Sequence, residues 1–319
     1  MRRVLLTGAS GFVGRRVHPL LVQRGWGVRC LTRDAGKARV ELPDRDWVEG
    51  DAGDATALER AFDGCEAAFY LVHEMGATGD FAAREAETAA AFARSARAAG
   101  LTRIIYLGGV LPHADSAASE HLRSRARVGE ILRSGTVPVL ELRASMIVGQ
   151  GSLSYIIVRD LAVRLPFMIL PKWLDSRTEP VAIDDVVIAL VRGLDIPLSA
   201  PAAYDLPGPE ILSGREILLR TAGALGLRRP LFVRVPVLTP RLSSHWVRFV
   251  TRAEWRVARE IVVGLTSDLL ARDRSYWSLI DHRTLTPFDD AVRAAEEGQQ
   301  LTPGGWAGVE RLMKRWRGR

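Results

Sequence analysis

Three glycines stand at Gly8, Gly11 and Gly14, in the order G-x-x-G-x-x-G, directly after the apolar run Val4-Leu5-Leu6. Glycines at this spacing allow a tight turn, let backbone N–H groups approach a pyrophosphate, and let the next helix pack on its strand. Val13, Val17, Leu20 and Leu21 recur at helical spacing, so a helix begins inside the turn. Its N-terminus offers unpaired N–H donors and the positive end of a dipole, which suit an anion. Strand, turn and helix together predict a dinucleotide site, with Gly8, Ser10, Gly11, Phe12, Val13 and Gly14 on the cofactor. The second predicted strand, Val28 to Arg33, bears on which cofactor. NAD sites usually end this strand in an acidic residue for the ribose 2′-hydroxyl, but here Thr32-Arg33 stands there. A guanidinium fork suits a 2′-phosphate, so NADP(H) is expected over NAD(H), although Asp34 follows one place later. Asp51 and Ala52 close a third strand beginning at Trp47; Asp51 is placed either to meet the adenine amino group or to bond local N–H groups. Leu71, Val72 and His73 end a fourth strand, Ala67 to His73, toward the nicotinamide. His73 is there a candidate proton donor.

The elements that must position these residues alternate. A long alanine-rich helix is predicted from about Gly79 to Ala99, closed by Gly100. Arg103 to Leu107 is a fifth strand ending in Gly108-Gly109, with Gly108 on the cofactor, and Val137 to Leu142 is a sixth. Alternating strand and helix imply an α/β Rossmann fold, a doubly wound parallel sheet with right-handed crossovers. Residues 1–150 are expected to form the dinucleotide-binding domain. Strands at Val181 to Ile183 and Ala203 to Leu206, within about 181–207, complete its sheet, and 151–180 with 208–319 build a smaller C-terminal substrate lobe. Tyr155 to Trp173 is apolar but broken by Arg159, Asp160, Arg164, Pro166 and Pro171, which suits a helix and loop lining a pocket. Tyr155 is a second candidate donor on that side. Ser213 and Glu216 spell a capping box for the following helix.

Composition narrows the function class. Of 319 residues 47% are hydrophobic, enough for a large core, yet no apolar run reaches the length of a membrane span. Only three apolar residues follow Met1-Arg2-Arg3 before the glycine turn, too few for a signal peptide. Two cysteines, Cys30 and Cys65, argue against a disulfide framework and fit a cytoplasmic protein with buried thiols. No H-x-x-x-H pair predicts a metal site and no G-x-S-x-G elbow appears. The net charge of +7 includes two basic clusters, Arg241, Arg248, Arg252 and Arg256, and Arg311, Lys314, Arg315, Arg317 and Arg319. Trp246, Trp255, Trp306 and Trp316 lie among them. Amphipathic helices packed on the main domain are the preferred reading; peripheral contact with an anionic membrane is the alternative, and no nucleic-acid motif is present.

The segments Thr7 to Gly14, Tyr70 to His73, Ile104 to Gly109, His121 to Arg125 and Leu238 to Ser244 resemble the atypical and extended short-chain dehydrogenase/reductases. They are most similar to a bacterial branch with an NmrA-like, NAD(P)H-binding domain. The resemblance implies a Rossmann fold and a nicotinamide cofactor. Active members of the parent family carry Tyr-x-x-x-Lys on the helix after the fifth strand, where i, i+4 spacing puts both on one face. Here His121 stands for the tyrosine and Arg125 for the lysine, while Gly108 or Gly109 replaces the usual serine. On this resemblance Arg125 holds ribose hydroxyls and His121, titrating near neutrality, donates a proton. The expected function is NADPH-dependent reduction of a carbonyl or activated double bond of a small apolar substrate. The alternative is a non-catalytic NAD(P)H-binding regulator, redox sensor or assembly factor.

Overall fold

A computed structural model describes residues 2–73, 81–113, 118–165, 167–170, 172–234, 267–297 and 315–318. Its centre is a sheet of seven parallel strands. These are β1 (Arg3–Thr7), β2 (Gly27–Thr32), β3 (Asp46–Glu49), β4 (Ala67–Tyr70), β5 (Arg103–Gly109), β6 (Val139–Ala144) and, later in the chain, β11 (Ala202–Asp205). Spatial order is β11-β6-β5-β4-β1-β2-β3. The order reverses between β1 and β4, and in doubly wound sheets the crevice at that reversal takes the ligand.

Period-two alternation decides which side each strand residue faces. Leu6, Cys30, Phe69, Ile105 and Leu140 pack on one side of the sheet, under α1 (Gly14–Gln23). Leu5, Leu31, Ala68, Ile104 and Val139 pack on the other, under α3 (Ala55–Phe62) and α4 (Phe81–Ala98). Between α1 and α3 lies α2 (Ala35–Glu41), and α5 (Glu120–Arg133) covers the second face through Val128 and Leu132. Both cysteines are free thiols inside the core; burial pushes Cys30 up to about 12 and Cys65 up to about 11. The Cys65 thiol donates back along α3 to the Ala61 carbonyl at 3.5 Å. In α1, Pro19 cannot donate to the Arg15 carbonyl. Arg45 takes that place, donating to Arg15 O at 3.3 Å and to Ala9 O at 2.8 Å, and so ties the helix to the glycine turn.

The smaller lobe is built from α6 (Leu153–Arg164), α8 (Gly214–Ala224) and short two-stranded pairings. β7 (Ile147–Val148) pairs with β10 (Val181–Ala182), β8 (Phe167–Leu170) with β13 (Leu231–Arg234), and β9 (Arg177–Thr178) with β12 (Leu212–Ser213). The strand expected at Val181 to Ile183 therefore lies outside the main sheet, and Ile183 opens α7 (Ile183–Arg192). The predicted capping box forms at Ser213 and Glu216. Two further helices, α9 (Tyr276–Leu279) and α10 (Phe288–Glu296), pack against α7 and α8. Among the described residues no helix is long and apolar enough to cross a membrane.

Candidate functional site

A cleft of about 1220 Å³ runs from the glycine turn, past the ends of β4 and β5, to the inner faces of α6 and α8. At its first end Gly8 has φ +65°, and a Cβ there would lie 2.5 Å from Leu71 O. A Cβ on Gly14 would lie 2.3 Å from Gly8 O. Both glycines are thus required by the packing of the turn on β4 and of the helix on the turn. Gly11 differs: a Cβ there meets only Gly8 O, at 3.1 Å, so its open side faces the cleft. Buried Thr7 fixes the turn to β4, donating to Phe69 O at 2.9 Å and accepting from Leu71 N at 3.0 Å. The N-terminus of α1 has no side-chain cap and no acidic residue in its first turn, which leaves its donors for an anion. These features fit a dinucleotide pyrophosphate.

Farther along, Arg33, Lys37 and Arg15 line the same end of the cleft. Asp34, the residue that spoke for NAD, caps α2 by accepting from Lys37 N at 2.8 Å. Glu41 sits between the two cations that the sequence did not single out, 2.5 Å from Arg15 and 3.9 Å from Lys37. Asp51 lines the cleft while accepting from Gly53 N at 2.8 Å, which is the local bonding weighed as its alternative role. Ala52, Leu71, Val72 and Gly108 line it as well, and so do Ser10, Phe12 and Val13.

At the centre of the cleft, β4, α4 and α5 bring four polar side chains together. His73 Nδ1 lies 2.8 Å from Glu85 Oε1, and His73 Nε2 lies 3.2 Å from His121 Nε2. The imidazole centroids are 4.3 Å apart. Ser124, one turn beyond His121, donates to Glu85 Oε2. Glu85 and Ser124 are buried, and neither carried a sequence signal; only their helical spacing to the cleft could have flagged them. His121 does not titrate near neutrality as expected. Burial, then the neighbouring His73, then Arg125 push it down to about 3. It also lies in the first turn of α5, where the helix dipole opposes a cation.

Arg125 faces the end of β5, donating to Leu107 O at 2.5 Å. Its own carbonyl accepts from the Tyr106 hydroxyl at 2.8 Å. Arg125 Nε is buried with no hydrogen-bond partner among the described residues. A buried donor beside the β5 glycines fits a ribose hydroxyl. Where the resemblance expects a serine, a Cβ on Gly108 would come 2.9 Å from Glu141 Oε1, so that carboxylate would have to shift, and a Cβ on Gly109 would meet Leu122 Cδ2 at 3.2 Å.

Other expected residues lie elsewhere. Tyr155 does not reach the cleft: it is fully buried, and its hydroxyl faces Val292 O and Glu296 Oε1, each at 3.4 Å. It is the i+1 neighbour of cleft-lining Ser154, so helical rotation turns it into the lobe core. Burial raises its phenol further from ionisation. Arg317, from the second basic cluster, is also buried. It donates to Ala162 O at 2.7 Å and Leu165 O at 3.2 Å, capping α6. Trp316 and Arg315 are exposed, whereas Arg241, Arg248, Arg252, Arg256, Arg311, Lys314, Arg319, Trp246, Trp255 and Trp306 lie outside the described residues. Among the described residues no three potential metal ligands cluster.

A family model described as NAD(P)H-binding matches residues 8–163. Two curated proteins are similar. Ceramide reductase of Caulobacter vibrioides is 27% identical over 237 residues, covering 73% of each chain. The (4-alkanoyl-5-oxo-2,5-dihydrofuran-3-yl)methyl phosphate reductase of Streptomyces griseus is 29% identical over 229 residues, 72% of this chain and 75% of that one. Among solved structures, triphenylmethane reductase of Citrobacter sp. complexed with NADP(H) superposes with a TM-score of 0.71 at 16% identity, covering 92% of this chain and 99% of that one. The Bordetella bronchiseptica enzyme WbmH in complex with NAD+ gives 0.67 at 18% identity, covering 93% and 98%. Residues 8–163 match an NAD(P)H-binding family, and the chain as a whole has the fold of these nucleotide-binding structures.

Proposed function

We propose that the protein is an NADPH-dependent reductase of an apolar substrate carrying a carbonyl or an activated double bond, with its proton drawn from the His73–His121 pair. The observation that carries this reading is the continuity of the cleft. The dinucleotide end opens onto an apolar wall of Met146, Ile157, Val158, Leu161, Leu174 and Ile217, and the two imidazoles sit between. When bound, the nicotinamide supplies hydride. The chain's own residues then have three tasks. The glycine turn and α1 hold the pyrophosphate, Arg125 holds ribose, and the histidine pair supplies a proton to the reduced centre. Arg33, with Lys37 and Arg15 nearby, supports a 2′-phosphate and hence NADPH, since Asp34 is engaged in capping α2. Both curated relatives are named as reductases, one of an alkanoyl compound, which agrees with an alkyl-lined pocket.

The test is NADPH oxidation with a homologous series of alkyl ketones and enones. Burying one methylene contributes about 0.8 kcal/mol, so kcat/KM should rise about fourfold per added CH₂ until the pocket is filled. Small generic aldehydes and ketones should be turned over poorly. His73→Ala and His121→Ala should each lower kcat by roughly 10²–10⁴ with NADPH affinity kept. NADPH binding without oxidation by any member of the series would leave a non-catalytic binding protein in place of the enzyme.

A further inference from the structure

We propose that His73, His121, Glu85 and Ser124 form a proton relay in which His73 carries the transferable charge and His121 passes the proton on without becoming a cation. The proposal rests on the reductase reading of the cleft. Glu85 accepts from Ser124 at one oxygen and stands 2.8 Å from His73 Nδ1 at the other. A carboxylate in that position fixes the Nδ1–H tautomer of His73. Proton exchange at His73 then runs through Nε2, which faces His121 Nε2 at 3.2 Å. Two nitrogens at that distance must share one hydrogen, so one ring donates and the other offers a lone pair.

Electrostatics decides which ring is charged. Among the described residues, the titratable and charged groups around the pair are Glu85 from α4, Arg125 from α5 and the Tyr106 hydroxyl from β5. His73 sits against the Glu85 carboxylate, which favours an imidazolium there. His121 has Arg125 one turn away on its own helix and the first-turn dipole of α5 behind it, both of which oppose a second cation. The resting arrangement is therefore a cationic His73 donating from Nε2 to a neutral His121 that keeps its hydrogen on Nδ1. Glu85 and Ser124 touch neither substrate nor cofactor in this scheme; they are positioning residues.

As the carbonyl carbon gains hydride from the reduced cofactor, the displaced π pair on oxygen takes the proton of His121 Nδ1. His121 Nε2 takes the proton of His73 Nε2 in the same motion. His121 ends neutral with its hydrogen moved across the ring, and His73 ends neutral, still donating through Nδ1 to Glu85. The pair resets by the reverse path: water protonates His121 Nδ1, and His121 Nε2 returns its proton to His73 Nε2. Such a shuttle explains how a histidine that refuses a charge can still deliver a proton.

Imidazole NMR on the full chain with NADP+ bound, using histidine labelled with heavy nitrogen, reads both tautomers directly. Between about pH 5 and about pH 8, the range in which an ordinary histidine titrates, His73 should titrate. His121 should stay neutral, carrying its hydrogen on Nδ1 while His73 is cationic. Glu85→Gln should lower the His73 midpoint by roughly 1–3 pH units, the range expected when an adjacent opposite charge is removed, with Glu85→Asp restoring part of it. The basic limb of the pH–rate profile should move by the same amount, which a merely structural role for Glu85 would not produce. Three results would overturn the relay: a second proton on His121 within that range, a His121 hydrogen held on Nε2 while His73 is cationic, or an unmoved His73 midpoint in Glu85→Gln. If that variant does not fold, the wild-type spectra still decide through the His121 tautomer. These spectra need no substrate, so the relay and the reductase reading fail separately: absent turnover leaves the tautomers intact, and a cationic His121 leaves turnover intact.

Discussion

His121 illustrates how one residue's chemistry depends on its surroundings. The unfolded chain takes up a proton at this histidine below about pH 6.5, its ordinary value, whereas the folded protein refuses one until about 3. The unfolded state thus binds more protons across that window, so stability is full above it and falls as pH drops from about 6.5 toward 3. The slope from this one group is at most about 1.4 kcal/mol per pH unit. His121→Asn should make the loss of stability on acidification shallower in denaturant titrations; identical slopes would show that His121 is not held neutral. On the proposed NADPH reading, Arg33 is the second residue whose role can be measured. A charge-assisted bond to a 2′-phosphate contributes about 1.5–3 kcal/mol, so Arg33→Ala should weaken NADP+ binding about ten- to a hundredfold and spare NAD+. An unchanged NADP+/NAD+ ratio would shift the discrimination to Lys37 and Arg15.

At the scale of elements, the strand–turn–helix unit separates two kinds of glycine that look alike in sequence. Gly14 is needed by the fold, since its missing Cβ is occupied by the Gly8 carbonyl, while Gly11 faces the cleft. Gly11→Val should therefore leave thermal stability near wild type and abolish cofactor binding. Gly14→Ala should lower stability first, because backbone must move. Calorimetric unfolding beside NADPH fluorescence titration distinguishes them, and a Gly11→Val protein with wild-type affinity would make the turn purely structural. The helix α5 is placed by the same local geometry. Its spacing puts His121, Ser124 and Arg125 on the side that meets β5 and α4, as the i, i+3 and i+4 rule requires.

The whole molecule is closed by its last described residues. Arg317 reaches 155 positions back to the Ala162 carbonyl at the end of α6 and also donates to Arg228 O at 2.6 Å. Of the basic tail, Arg317 is to that extent committed to the interior of the smaller lobe. Hydrogen bonds to a charged group contribute about 1.5–3 kcal/mol, so Arg317→Met should lower the Tm. Because α6 walls the substrate side and not the glycine turn, KM for an alkyl substrate should rise while the Kd for NADPH stays fixed. Loss of NADPH affinity to the same degree would mean that the lobe and the cofactor site are coupled.

The glycine turn, the parallel sheet and the helix caps were legible in the chain because each is a local pattern. Periodicity of two or 3.6 and a cap three residues from its partner are set by neighbours within one turn or one strand. Ser213 with Glu216 forms its box, and the apolar runs of β1, β4 and β5 are buried on both faces as their composition required. The centre of the cleft was not legible in this way. His73, Glu85, His121 and Ser124 meet across sequence separations of 12, 48 and 39 residues. Sequence offered His73 and His121 as separate donors, placed Tyr155 among them, and assigned His121 an ordinary titration. Tertiary packing removed Tyr155 from the cleft, joined the two imidazoles, and kept His121 neutral, because desolvation and the nearness of other charges are properties of the folded interior and not of any stretch of chain.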